Sequence, residues 1–361
     1  MRYRLTCLTP TLVGDGQKLA PIDYMVWRDH VNVLDQRRIF KLLAKGPRLD
    51  GYLAQLKKAD KLDFASWGGF AQNFAGRRIP FEHSSAIPVW ERARAEHLFI
   101  PTFAASTSGP YLPATAIKGA LRTGAVSDRW SEKTLKDLEE RLSGERVPKN
   151  PAAKLEDVPR AKRVAASDSG TVPYSAMKVY LLRVSTLVAR GQGRFELGWK
   201  SPRGSADSRH IEESTPIFAE MAVPGTTFEG SWDENTVQDR SRLFQSANKY
   251  AAGQLARHKQ YAAAAGLAQV GALVEALEKR VEEVAARPNM CVLSIGWGAG
   301  AHSKIAWLDT EDAAFRNVLR QFPIYQKVIQ TGLPFPKTRR ILFQGGQPAS
   351  LAGWVVLEVV E

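Results

Sequence analysis

The run Val179–Val188, VYLLRVSTLV, constrains the fold of this chain more than any other stretch. Rich in β-branched and large apolar residues, it predicts a long strand. Strand signals recur at both ends of the sequence. Tyr3, Leu5 and Cys7 alternate with Arg2, Arg4 and Thr6 at the period of a half-buried strand, and Leu98–Phe103, Cys291–Ile295 and Gly353–Val360 add further strands. Two hairpins are expected, Tyr24–Trp27 with Val31–Leu34, and Ile217–Met221 with Thr227–Trp232 around Pro224 and Gly225.

Helical signals lie between these strands. Asp35 caps a short helix whose Ile39, Leu42 and Leu43 share a face and which Gly46 and Pro47 end. Val237–Arg287 reads as helix with Leu267, Val270, Val274, Leu277, Val281 and Val284 in one core-facing stripe, divided at Gly253 and Gly266. A shorter helix follows near Glu311–Gln321. Residues 57–97 show no clear period. Ser143–Pro173 is poor in large apolar residues and holds the expected boundary. The expectation is an α+β protein of two similar units, residues 1–150 and 151–361.

Lysine and arginine number 50 against 37 acidic residues, a formal charge of +13. A balance this basic suits a polyanion, nucleic acid first, with an acidic protein or membrane surface as alternatives. No apolar run is long enough to span a membrane, and Met1–Leu5 lacks the apolar core of a signal peptide. Cys7 and Cys291 both sit in apolar runs and read as buried thiols of a reducing, cytoplasmic compartment.

The segment Tyr111–Arg122, YLPATAIKGALR, breaks a loop at Pro113 and starts a helix that Thr115 can cap. Lys118 and Arg122 fall one turn apart on one face. Such an N-terminus offers unpaired N–H groups and partial positive charge to a phosphate. Gly119 costs roughly 1 kcal/mol of helix propensity relative to alanine, which a close backbone approach would justify. A plain surface helix with a packing glycine is the alternative.

Two glycine loops accompany it. Thr9–Lys18 contains Gly14, Gly16 and Lys18, and Gly296–Lys304 (GWGAGAHSK) contains Gly296, Gly298, Gly300, His302 and Lys304. The second is no dinucleotide fingerprint, because alternating βα units do not follow, and no NTPase phosphate loop, because its lysine is misplaced. It reads either as main chain that a sugar-phosphate backbone can lie against or as an ordinary turn. Pro334–Arg340 is a basic segment held extended by two prolines, offering Lys337, Arg339 and Arg340 to the same groove. Arg190–His210 is an arginine-rich excursion. It is either a solvated hairpin or a thumb whose Arg190, Arg194, Lys200, Arg203, Arg209 and His210 follow phosphates while Phe195 or Trp199 stacks on bases.

LTPTLVGDG with APIDY near the start, YLPATAIKGALR in the middle, and GWGAG, PKTR and the Gly353–Trp354 pair near the end together resemble the RAMP superfamily of CRISPR proteins, most closely the fifth-subunit family of type III-A Csm complexes. The resemblance implies ferredoxin-like (RRM-like) units with helical insertions. It also implies a subunit that caps the crRNA 3′ end of the effector filament and supports crRNA maturation by other host nucleases. Partners would be crRNA and the backbone and small Csm-type subunits. Its glycine loop would be Gly296, Gly298 and Gly300, and its basic helix positions Lys118 and Arg122.

Six histidines, His30, His83, His97, His210, His258 and His302, include no pair at metal-ligand or acid–base spacing. His30 and His258 read as solvated, and Asp23 as a residue ordering the first loop. No cofactor, metal or catalytic residue is expected. The competing expectations are a RAMP endoribonuclease using His302 or His210, and a basic scaffold that binds only proteins.

Overall fold

The computed structural model describes residues 1–58, 61–62, 73–143, 166–190, 194–201, 207–233, 239–298, 300, 305–307 and 309–360. The chain is α+β, built on two antiparallel sheets. The first strand, Arg2–Cys7, buries Tyr3, Leu5 and Cys7 and exposes Arg2 and Arg4, as its alternation requires. Thr227–Ser231 pairs with one edge of it and Trp354–Val360 with the other, in the register Arg2↔Val360. Met290–Ser294 completes this sheet beyond the last strand. The two ends of the chain are therefore central neighbours, and a division at residue 150 runs through one sheet.

The second sheet is organised by Met177–Ala189, the run that dominates the sequence. Phe195–Lys200 and Ile217–Ala222 share one of its edges, and Thr338–Gln344 takes the other. The expected hairpin of Ile217–Met221 with Thr227–Trp232 does not form. Its first strand joins this sheet and its second strand the N-terminal one, with Gly225 (φ 86°) turning between them and donating to the Cys7 carbonyl at 2.8 Å. Turn residues predict a chain reversal without fixing which strand edge receives the next segment.

The helices Arg240–Ala265 and Ala268–Ala285 cover the sheets. Gly266 ends the first in the left-handed region at φ 66°, whereas Gly253 lies inside it without a break. The stripe Val270, Val274, Leu277, Val281 and Val284 is buried against Leu181, Val292, Ile341, Phe343 and Trp354. A second core joins Tyr3, Leu5 and Phe228 to Ile117, Leu121 and Ala247.

A satellite unit contains the Tyr24–Trp27 and His30–Leu34 hairpin, extended by Ala75–Pro80 from the segment without a clear period. Its helix Gln36–Leu43 is capped by Asp35, which accepts the Arg38 N–H at 3.0 Å. Ile39 and Leu43 are buried there, but Leu42 is 57% exposed, so the expected three-residue face is two. Within Leu98–Phe103 only Ile100–Pro101 is strand, paired with Lys18–Leu19.

Candidate nucleic-acid interface

The central helix runs Ala114–Ser127 and buries Ile117, Leu121 and Gly124 at helical spacing. Thr115 is not its cap. The Ala114 N–H donates to the Asp168 carboxylate at 2.7 Å and the Leu112 N–H to Ser169 Oγ at 2.8 Å. A distant segment thus occupies an N–H group that local sequence leaves open for a phosphate. The close-packing glycine is also not the expected one. A Cβ on Gly124 would lie 2.9 Å from the Ala247 Cα, whereas nothing lies within 4 Å of one on Gly119. Thr115, Lys118, Gly119 and Arg122, spaced three and four apart, form the outward stripe, with Thr115 and Gly119 exposed and both cations half-buried.

The first glycine loop lies beside this helix. Leu12 and Val13 anchor it in the core that also holds Ile117 and Leu121. Val13 accepts the Ala104 N–H at 2.9 Å and Gln17 the Thr102 N–H at 3.2 Å, so the loop follows the segment leading into the helix. Gly14, Gly16 and Lys18 are exposed, and Lys18 Nζ stands 4.4 Å from the centroid of the Phe99 ring. Asp23 orders the end of the loop by accepting the Ala20 N–H at 2.8 Å.

The second glycine loop docks on the first. Gly296, at φ 72°, has no room for a Cβ, which would sit 2.1 Å from the Leu12 carbonyl oxygen, and that oxygen accepts the Trp297 N–H at 2.8 Å. Gly353 (φ 83°) repeats the device: its N–H donates to Pro10 at 2.9 Å and its carbonyl accepts the Ile295 N–H at 2.8 Å. Gly298 ends a short 3-10 turn and Gly300 (φ 62°) lies in open space. His302 and Lys304 lie outside the described residues. Arg340 braces the loop, with its guanidinium 4.3 Å from the Trp297 ring centroid and an Nη1 hydrogen bond to the Trp297 carbonyl. Burial lowers its pKa.

Other basic candidates turn inward. Arg339 is 8% exposed. Its Nε donates to His258 Nδ1 at 3.1 Å, its Nη1 to the Pro336 and Thr338 carbonyls at 2.7 and 2.9 Å, and it lies 4.4 Å from the Tyr261 ring centroid. Desolvation lowers its pKa to about 10. His258 is likewise buried rather than solvated, and burial with Arg339 beside it holds its pKa well below the ordinary value. The prolines do not hold this segment extended, since the chain bends at Phe335–Pro336 about a cis peptide bond; strand begins only at Thr338, and the Thr338–Gln344 strand is interior to its sheet, which points Arg339 into the core.

The described residues of the arginine-rich excursion are largely sheet, in Phe195–Lys200 and Asp207–Ser208. Trp199 is 1% exposed and packs edge-on to Phe343 at 5.4 Å, so it is core and not a base-stacking wedge. Asp207 pairs with Lys200 at 2.5 Å and Lys337 at 3.7 Å, while Glu196 pairs with Arg190 at 2.7 Å and Arg209 at 3.6 Å. Both acids stand inside the basic run itself. Arg194 and His210 are exposed; Arg203 lies outside the described residues.

Gly14, Gly16, Lys18, Gly119 and Gly300 are thus exposed and Lys118 and Arg122 half-buried, on two loops and a helix whose anchors share one core. Among the described residues no cluster of three or more His, Cys, Asp or Glu is placed to hold a metal, and no helix is long and apolar enough to cross a membrane. Exposed main chain and cationic side chains of this kind can receive a polyanion.

No curated protein matches the sequence. Among solved structures, a chain of the cryo-EM structure of a Csm–crRNA–target RNA ternary complex from a type III-A CRISPR-Cas system is similar, with a TM-score of 0.63 and 19% identity, covering 99% of this chain and 100% of that one. The crystal structure of T. onnurineus Csm5 is similar at a TM-score of 0.57 and 16% identity, covering 98% and 99%. Residues 4–243 match the RAMP superfamily. That match takes in the first glycine loop, the Ala114–Ser127 helix and the strand about which the second sheet is organised, and the chain belongs to the RAMP superfamily.

Proposed function

We propose that this chain is a non-catalytic RNA-binding subunit of a type III-A Csm effector complex, holding the crRNA 3′ portion at one end of the filament and supporting its maturation. The observation that carries this reading is the end-to-end likeness to T. onnurineus Csm5 and to a chain of a Csm–crRNA–target RNA complex. Exposed Lys18 and half-buried Lys118 and Arg122, with the exposed glycines of the loops, support it, because contacts of this kind hold a sugar-phosphate backbone without reading sequence. Backbone and small Csm-type subunits are the protein partners this reading requires.

The test uses the purified chain and labelled single-stranded RNA, with and without divalent metal, following binding and integrity together. Salt-sensitive binding with intact RNA supports the proposal. Cleavage that persists through repurification and is lost in His302→Ala or His210→Ala overturns it in favour of an endoribonuclease. Salt-insensitive affinity, or none, leaves a scaffold that binds only proteins.

A further inference from the structure

We propose that the cleft between the Ala86–Arg92 helix and the segment from Asp207 to Pro216 is a pocket for one nucleotide. The cleft has a volume of about 870 Å³ and lies apart from the glycine loops. Its lining includes Arg183, only 4% exposed, whose Nη1 donates to the Ser214 carbonyl at 2.6 Å and to Ser214 Oγ at 2.7 Å. The guanidinium stands 5.7 Å from the centroid of the Phe343 ring, and its Nε has no acceptor among the described residues. No carboxylate is paired with it among the described residues. A buried cation with a donor left over is an arrangement completed by an acceptor from outside the chain.

The two rims identify that acceptor. Arg92 and Arg94 line one side, suited to a phosphate, and Glu212 and Glu213 the other, suited to base amino or ribose hydroxyl donors. Apolar Val89, Pro216 and Phe343 supply walls for a planar ring. An acidic peptide would match the first rim and be repelled by the second. A nucleotide carries an anion at one end and donors and acceptors at the other, which fits both. The ligand is a nucleotide of a bound RNA, which rests on the reading above, or a free mononucleotide, which does not.

The test titrates the folded protein with AMP, GMP, CMP, UMP and inorganic phosphate by calorimetry, alongside a single-stranded RNA. Saturable binding of at least one mononucleotide is expected, stronger than that of phosphate alone. Arg92→Glu, on the exposed rim, should weaken it by about tenfold or more, since it reverses a charge facing the anion. Arg183→Met should abolish it; should that variant not fold, Arg92→Glu decides. If Arg92→Glu weakens RNA as well, the source is an RNA nucleotide; if RNA affinity is unchanged, it is a free mononucleotide. Absence of saturable mononucleotide binding, or binding indifferent to Arg92→Glu, overturns the pocket. Failure of the wild type to bind RNA removes the broader functional reading while leaving the mononucleotide result intact.

Discussion

Gly296 and Leu12 join the two glycine loops at a contact that admits no side chain, since a Cβ on Gly296 would lie 2.1 Å from the Leu12 carbonyl oxygen. Gly296→Ala adds that clash to a left-handed backbone, and the two together should cost about 3 kcal/mol or more. Gly300→Ala meets open space at φ 62° and should cost only about 1 kcal/mol, for the backbone strain alone. Urea denaturation of both variants checks the ranking. Equal losses would mean that the Leu12 contact contributes nothing.

Lys118 and Arg122 share the outward stripe of the Ala114–Ser127 helix with Gly119. In RNA titrations at several salt concentrations, the double change Lys118→Ala with Arg122→Ala should lower affinity and flatten the log–log slope. The flattening should be about 0.7 for each phosphate that the variant no longer neutralises on a single strand. An unchanged slope would remove these two residues from the interface.

The elements were more legible than their partners. Period-two alternation at Tyr3, Leu5 and Cys7 and the Val270–Val284 stripe report local geometry and burial, which the side chains themselves encode. Pairing is non-local. Nothing around Pro224 indicates that the strands on either side enter different sheets, and nothing around Pro113 indicates that Asp168 caps the helix beyond it. The same limit governs charge. Arg339, Lys337 and Lys200 look alike as cations in a basic sequence, and only the fold distinguishes the core guanidinium and the two Asp207 partners from exposed Lys18. Loop positions such as Gly16 and Lys18 are exposed, whereas the Thr338–Gln344 strand carries Arg339 inward.

His258 gives the fold a defined acid sensitivity. The unfolded chain protonates it near the ordinary histidine value, whereas burial and Arg339 keep it neutral well below that value in the folded chain. In that window the unfolded state binds more protons, so stability falls as pH drops below about 6.5, by up to about 1.4 kcal/mol per pH unit from this group. Glu220 works in the opposite direction, because burial raises its carboxyl pKa and the folded state binds the extra proton above the ordinary carboxylate range. Comparing wild type with His258→Gln, which retains an acceptor for Arg339, isolates the histidine. The variant's stability should decline less steeply below about pH 6.5, and an unaltered decline would assign the acid sensitivity elsewhere.

Arg339 separates an internal role from an RNA-binding one. Its Nε and Nη1 satisfy buried His258 Nδ1 and the carbonyls of half-buried Pro336 and Thr338. Arg339→Met keeps much of the aliphatic volume but leaves these acceptors without their donor, which should cost about 3 kcal/mol. Arg194→Ala, at an exposed position, should leave stability within about 0.5 kcal/mol. Unfolding curves and RNA affinity per folded molecule should therefore dissociate, with Arg339→Met lowering the unfolding midpoint while the protein that remains folded keeps its affinity and salt slope. A variant that is as stable as wild type and fails to hold RNA would return Arg339 to the binding surface.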